Sequence, residues 1–217
     1  MKKDVRDLLD DWPRNFIRDA DLAQLCNKTG DARHSLVSRL LKADRLRSLR
    51  RGLYVITSHV KRQLPHPYEF AQQIYEPSII SVESALSHHG WIPEAVYTHT
   101  SVTPRRGREF TTYLGIFSFE HVPAEHFYLG TMRYPSPTGI CIIAEPWRAL
   151  ADFMYVKHKS WPDLAHLELD LRVDIETALT GDTALLKILC ADYPSPRVRK
   201  GLRIFLQEIT KKNGATS

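Results

Sequence analysis

The sequence predicts an α+β protein built from two parts. Apolar residues recur at helical spacing near both ends of the chain, whereas the middle alternates apolar and polar residues as strands do. With 217 residues, of which 43% are hydrophobic, the chain can bury a core as one large domain or two small ones. Two prolines in residues 64–67 disfavour both helix and sheet, so we place a domain boundary between residues 1–64 and residues 65–217.

Basic residues are concentrated before that boundary. Residues 1–64 carry fifteen lysines and arginines against eight aspartates, so their net charge is +7 whereas the whole chain has +5. Such an asymmetry indicates a polyanionic partner. The sequence has no run of about twenty apolar residues and no signal-peptide core, and its three cysteines are far apart. We therefore expect a cytoplasmic protein without a membrane partner.

The N-terminal part is predicted to contain three helices and a hairpin. The expected elements are a helix over residues 2–11, a strand over 15–18, helices over 20–26 and 32–43, and strands Leu46–Arg50 and Leu53–Ile56. Asp19 and Asp31 are expected to cap the second and third helices, and Arg51 and Gly52 form the hairpin turn. This order is that of a winged helix-turn-helix.

The third helix and the hairpin have the polar side chains that DNA binding needs. A major groove admits one helix, whose early residues reach base edges, while a wing reaches phosphates. The predicted base contacts are Arg33, His34, Ser35 and Ser38, and the predicted phosphate contacts are Arg39, Lys42, Arg47, Arg50 and Arg51. A solvated basic surface, or a helix-turn-helix that contacts protein, would have the same composition, and both alternatives stay open.

Three segments in this order resemble the AbiEi family, the antitoxins of type IV toxin–antitoxin (abortive infection) systems. They are LRSLRRGLYVI at 46–56, YEPSIISVESALSHHGWIPEAV at 75–96 and SPTGICIIAEPWRALADFMY at 136–155. The resemblance covers roughly residues 19–155. One departure is AEPWRAL at 144–150, where relatives read more like SPEKAL, so Trp147 and Arg148 are unusual.

This resemblance implies a partner and a mode of action. Members have an N-terminal winged helix that binds repeats in double-stranded DNA of their own promoter and represses it. Their C-terminal α/β domain supports antitoxicity and, in some members, DNA binding. The cognate toxin is a nucleotidyltransferase-like enzyme encoded next door, and the two need not form a stable complex.

Residues 65–217 are predicted to form a mixed α/β domain with a helical C-terminal tail. Expected helices cover 68–75, 82–88, 146–156, 174–179, 182–191 and 196–211, and expected strands cover 77–80, 97–103, 108–113, 116–122, 127–134 and 138–144. Ser81 is expected to cap the second of these helices, with Ser84 on its polar face.

The chain carries no motif of a known catalytic site, so we expect neither enzymatic activity nor a cofactor or metal. His88 and His89 are adjacent, so they cannot form the i, i+4 pair that binds zinc on a helix. No GxSxG, GxGxxG or GxxxxGK[ST] segment is present. The acidic residues Asp163, Glu168 and Asp170 lie in a polar stretch that we interpret as solvated surface.

A second nucleic-acid contact is suggested by TPRRGREF at 103–110. Arg105, Arg106 and Arg108 surround Gly107 between two predicted strands, where a basic loop can follow phosphates; an exposed hairpin tip explains them equally. Two functional hypotheses follow. The chain is a non-catalytic DNA-binding repressor and antitoxin, or it is a small-molecule-responsive winged-helix regulator with a ligand pocket in residues 65–217. The oligomeric state stays open.

Overall fold

The computed structural model describes residues 5–93, 97–174, 176 and 180–215, and it confirms an α+β fold. The helices are α1 Val5–Asp10, α2 Asp19–Cys26, α3 Gly30–Lys42, α4 Thr57–Arg62, α5 Pro67–Ile74, α6 Val82–His88, α7 Pro146–Val156, α8 Leu164–Leu171, α9 Thr183–Asp192 and α10 Pro196–Ala215. Residues 1–4 of the predicted first helix, and residues 175 and 177–179 of the predicted helix over 174–179, lie outside the described residues.

The strands form two sheets. They are β1 Phe16–Arg18, β2 Leu46–Arg50, β3 Leu53–Ile56, β4 Ile79–Ile80, β5 Thr98–Thr103, β6 Arg108–Thr112, β7 Gly115–His121, β8 Thr131–Ser136 and β9 Gly139–Ala144. The first sheet has the order β1-β3-β2 and is antiparallel. The second has the order β6-β7-β5-β4-β9-β8, so β6 and β8 are its opposite edges. Its pairs β5–β7 and β4–β9 are parallel.

The central strand of the three-stranded sheet is buried on both faces. All four residues of β3 are buried, and they alternate between two apolar cores. Tyr54 and Ile56 pack with the side chains of α2 and α3, whereas Leu53 and Val55 join the core of the second part. On β1, Phe16 lies against Phe70 of α5, with ring centroids 5.3 Å apart. The packing therefore crosses the predicted boundary at residue 64.

A bulge on β2 gives this strand the same double role. The register shifts between Ser48 and Arg50, so Leu46 and Leu49, three residues apart, are both buried. Leu46 belongs to the core of the helices α1–α3 and Leu49 to the core of the second part. The irregular spacing of these leucines is thus a consequence of the strand's position between two cores.

The predicted helix caps in the N-terminal part are wrong. Helix α2 begins at Asp19 with Arg18 as its N-cap residue, and the Asp21 carboxylate accepts a hydrogen bond from the Arg18 backbone N–H at 3.0 Å. Helix α3 begins at Gly30, so Asp31 lies within its first turn. Asp19 instead donates its N–H to the carbonyl of Gly52, because the hairpin turn packs against the start of α2.

Two short helices were not predicted, and one predicted strand starts later than expected. Helix α4 is held by the Ser58 hydroxyl, which donates to Asp10 at 2.6 Å across the fold. Helix α8 falls in the stretch interpreted as solvated surface, and Asp163 caps it by accepting the N–H of His166 at 2.8 Å. The strand predicted over 127–134 begins only at Thr131, because residues 124–130 form turns.

A buried polar network joins α6, α7 and the C-terminal helices. Ser81 is the N-cap residue of α6, as predicted, but its side chain makes no capping hydrogen bond, because the hydroxyl donates to the Asp152 carboxylate at 2.6 Å. Asp152 also accepts the Tyr193 hydroxyl and the Arg148 Nε–H, both at 2.9 Å. Burial, reinforced by Asp152, raises the pKa of Tyr193 well above its usual range, so this hydroxyl keeps its proton. The unusual Arg148 of the sequence is therefore a core residue.

Ser84 also departs from prediction, because it is buried rather than on a polar face. Its hydroxyl accepts the backbone N–H of Thr100 at 2.8 Å and donates to the carbonyl of Thr98 at 3.3 Å. The side chain thereby satisfies backbone groups of β5, and it fastens α6 to the six-stranded sheet.

Asp152→Ala is expected to lower the free energy of unfolding by about 3–5 kcal/mol, because it leaves the Arg148 guanidinium buried without its counter-charge. Urea denaturation followed by circular dichroism measures this. The control is Asp44→Asn, which removes the charge of a half-exposed carboxylate paired with Arg47, suits the left-handed backbone at this position (φ +50°) and should change stability little. Equal losses in the two variants would contradict a structural role for the Arg148–Asp152 pair.

Candidate nucleic-acid interface

One face of α3 is open and polar. Its opposite face is buried through Leu36, Val37 and Leu40, which fixes the orientation of the helix. Five of the predicted contact residues are exposed on this helix: His34, Ser35, Ser38, Arg39 and Lys42. Their spacings of three and four residues place them as neighbours on the helix surface. The structure thus brings these five together.

Arg33 lies apart from that open face. Its side chain is 27% exposed, and its Nε is 3.2 Å from the Asp19 carboxylate at the start of α2. This ion pair holds α3 against α2 and the hairpin turn. Arg33 therefore contacts Asp19 in this structure rather than projecting with the other predicted base contacts.

The three hairpin arginines have different surroundings. Arg47 donates to Asp44 at 2.8 Å, which lowers the pKa of that carboxyl, and its guanidinium lies 5.3 Å from the centroid of the Tyr113 ring. The Arg50 Nε–H donates to the carbonyl of Ile74 at 2.6 Å, so Arg50 ties the hairpin to α5. Arg51 is exposed at the turn. Arg51 is therefore the hairpin arginine best placed for an external phosphate.

The hairpin and the TPRRGREF loop line one groove, which we name the arginine groove. Its volume is about 720 Å³. The basic side chains that line it are Arg18, Arg50, Arg51, Arg105 and Arg108. Sequence reasoning treated the hairpin and the loop as separate patches and missed Arg18, because no local pattern indicates that β1 and residues 103–108 meet.

The loop side of the groove is held by specific contacts. Tyr75 donates its hydroxyl to the carbonyl of Arg106 at 3.1 Å, and Arg108 lies over the Tyr75 ring at 5.7 Å from its centroid. The Thr103 hydroxyl accepts the Arg105 N–H at 3.3 Å. These contacts fix the direction of the loop's backbone while leaving Arg105, Arg106 and Arg108 exposed.

Charge in the arginine groove is predominantly positive. Its lining contains five guanidinium groups and two carboxylates, Asp19 and Glu76. Glu76 pairs with Arg18 at 3.1 Å, and both side chains are about half exposed, so the pair is open to competition by an external anion. A concave wall with excess positive charge concentrates the field and attracts polyanions.

Three histidines, His66, His88 and His99, surround Tyr68 in the second part. A fourth, His89, packs against His88, with ring centroids 5.1 Å apart. Burial lowers the pKa of all four imidazoles, and a neighbouring imidazole lowers the pKa of His66, His88 and His99 further. Burial also raises the pKa of Tyr68 to about 12. Within the described ranges, no group of three or more histidine, cysteine or acidic side chains could hold a metal ion.

No protein-family model matches the chain, and no curated protein matches it. Among the helices in the part of the chain that the structure describes, none is long and apolar enough to cross a bilayer.

Stability is expected to fall as the pH is lowered from about 7.5 to about 5.5. The unfolded chain takes up protons at the ordinary histidine pKa of about 6.5, whereas the folded protein, with its depressed pKa values, stays neutral to lower pH. Protons bound only by the unfolded chain favour unfolding. Urea midpoints at several pH values measure the effect.

His88→Phe is the matched variant for this measurement. It keeps a ring beside Tyr68 and Tyr134, whose centroids lie 5.7 and 4.7 Å from that of His88, but cannot bind a proton. Its stability should depend less steeply on pH than that of the parent. A parent protein whose stability is constant or rises on acidification would contradict the assignment.

Proposed function

We propose that this chain is a DNA-binding regulator whose N-terminal part is a winged helix-turn-helix. Helix α3 would enter the major groove and the β2–β3 hairpin would be the wing. The observation that carries the proposal is the exposed polar face of α3 together with the excess positive charge of the arginine groove. The two surfaces belong to one packed unit, because the Arg33–Asp19 ion pair connects the first turn of α3 to a residue that lines the groove.

The two surfaces would have different tasks. On α3, His34, Ser35 and Ser38 reach base edges and supply sequence preference, while Arg39 and Lys42 lie further along and contact phosphates. In the arginine groove, Arg51, Arg105 and Arg108 contact the backbone of the same duplex. Each phosphate neutralised releases counterions, so affinity should depend steeply on salt.

The regulatory role rests on the resemblance to the AbiEi family. We propose that the protein occupies inverted repeats in its own promoter and represses it. Residues 65–217 would act as an antitoxin against a nucleotidyltransferase-like toxin, without catalysis by this chain. Two copies on neighbouring repeats would raise the effective local concentration and give cooperative occupancy.

A second candidate function is a regulator that responds to a small molecule. It is favoured by a cavity of about 580 Å³ in the second part, with apolar and polar residues in its lining. The genes beside this one separate the two. A nucleotidyltransferase-like neighbour supports the antitoxin, and a metabolic operon supports the ligand-responsive regulator.

Arg105→Ala is expected to weaken binding to upstream and random DNA alike. The slope of log affinity against log salt should become about one unit shallower, because one phosphate contact is lost. Mobility shifts with the chain's own upstream DNA at several salt concentrations measure both. Arg133→Ala is the charge-matched control, since Arg133 lies exposed on β8, at the opposite edge of the sheet from β6.

In the same assay, His34→Ala with Ser38→Ala should affect upstream DNA selectively. Each lost base contact is expected to cost about 1–3 kcal/mol on that sequence. Equal binding of upstream and random DNA by the parent would contradict the assignment of α3 as the helix that contacts bases. An Arg105→Ala variant that matches Arg133→Ala would remove the arginine groove from the interface.

Antitoxicity should survive loss of DNA binding. We expect the full-length His34→Ala, Ser38→Ala variant to restore growth when it is co-expressed with a nucleotidyltransferase-like toxin from a neighbouring gene. The reason is that residues 65–217 are unchanged in this variant. Colony counts at matched protein levels measure this. If the parent restores growth and the variant does not, antitoxicity depends on DNA binding.

A further inference from the structure

A second concave site lies between α6, α7, α8 and the β5–β7 region of the six-stranded sheet. Its volume of about 580 Å³ is within the range that holds small organic molecules. Leu86, Ile92 and Phe153 give it an apolar floor, and these three side chains are themselves buried in the core. An apolar body placed on this floor would leave water, which favours binding.

The sheet wall of this cavity carries two carboxylates. Glu109 on β6 is paired in register with Ser118 on β7, and Glu120 follows two residues later on the same face. Glu120 accepts the Ser118 hydroxyl at 2.7 Å. Within the described ranges, neither Glu109 nor Glu120 forms an ion pair. Like charges on neighbouring strands repel each other, so a cation between them would be stabilised.

The helix wall of the cavity carries two further carboxylates and one ammonium group. Lys157 of α7 places its Nζ 2.9 Å from Glu83 Oε1. The other oxygen of Glu83 is enclosed and has no hydrogen-bond partner among the described residues. Asp170, also in the lining, is paired with Lys159 at 2.6 Å. The lining thus has four carboxylates and one ammonium, and its net charge is negative.

We propose that this cavity binds a small organic cation, a protonated amine with an apolar body. The ammonium group would lie between Glu109 and Glu120, and the apolar body would rest on Leu86, Ile92 and Phe153. The same carboxylates would repel nucleotides and other anions. This inference is independent of the proposed DNA binding, which uses other residues. The two sites nevertheless lie back to back, because Arg108 and Glu109 are consecutive on β6 and point to opposite faces.

Titration calorimetry on the full chain at pH 7 tests the proposal with three probes of similar size. They are 2-phenylethylamine, which is protonated, 2-phenylethanol, which is neutral, and 3-phenylpropanoate, which is an anion. The amine is expected to bind at least about tenfold more tightly than the alcohol, and the anion not at all, since a single charge contact is worth about that factor. Equal binding of amine and alcohol, or no binding of the amine, would overturn the proposal.

The double variant Glu109→Gln, Glu120→Gln locates the site. It removes both charges from the sheet wall, where Glu109 is exposed and Glu120 is half-buried, and it keeps side-chain size. Affinity for the amine should fall about tenfold while that for the alcohol stays the same. Glu125→Gln is the matched control, because Glu125 is an exposed carboxylate outside the cavity. Unchanged amine affinity in a folded double variant would refute the site. If that variant does not fold, the relative affinities of the three probes for the parent protein still support or overturn the proposal.

Discussion

The structure depends above all on the central strand of the small sheet, which is buried on both faces. Strand β3 sends Tyr54 and Ile56 into one core and Leu53 and Val55 into the other. Burying a side chain of this kind contributes roughly 1.5–3 kcal/mol, so each face of the strand is a large part of the stability of a small protein. The hairpin is fixed against α5 by this packing, and Arg50 adds a hydrogen bond to Ile74. The arginine groove exists because the hairpin is held there, beside the loop at residues 103–108.

Polar groups inside the second core are arranged around shared partners. Asp152 alone joins Ser81, Arg148 and Tyr193, which come from three different parts of the chain. Arg148 also donates to the carbonyl of Leu129 at 2.6 Å, which holds the turn before β8. Gly130 suits this turn, since its φ of +65° favours glycine and an added Cβ would lie 3.0 Å from that of Arg148. Arg148, which is unusual in the sequence, thus joins α7 to the turn before β8 inside the core.

Local patterns predicted most of the elements but few of their long-range partners. The turn residues Arg51 and Gly52 between β2 and β3, the alternation in β5–β7, and Pro146 at the start of α7 are local signals, and the structure confirms these elements. Asp19, Ser81 and Ser84 resemble caps or surface residues in sequence, yet their partners come from Gly52, Asp152 and Thr100, which no short window contains. The LYVI run of β3 did carry a usable signal, since four consecutive apolar residues in a strand indicate burial on both faces. Arg18 in the groove had no such signal.

The packing on both faces of β3 also prevents residues 64–67 from acting as a hinge between the two parts. Residues 64–67 have the composition of a linker, but separating the parts there would expose Phe16, Leu49, Leu53 and Val55 to water. The packing therefore fixes the distance between α3 and the loop at residues 103–108. A nucleic acid that touches both must match that span through its own curvature or groove width. Selectivity for the shape of the duplex would then come from the rigidity of the protein, without any further side chain reading a base.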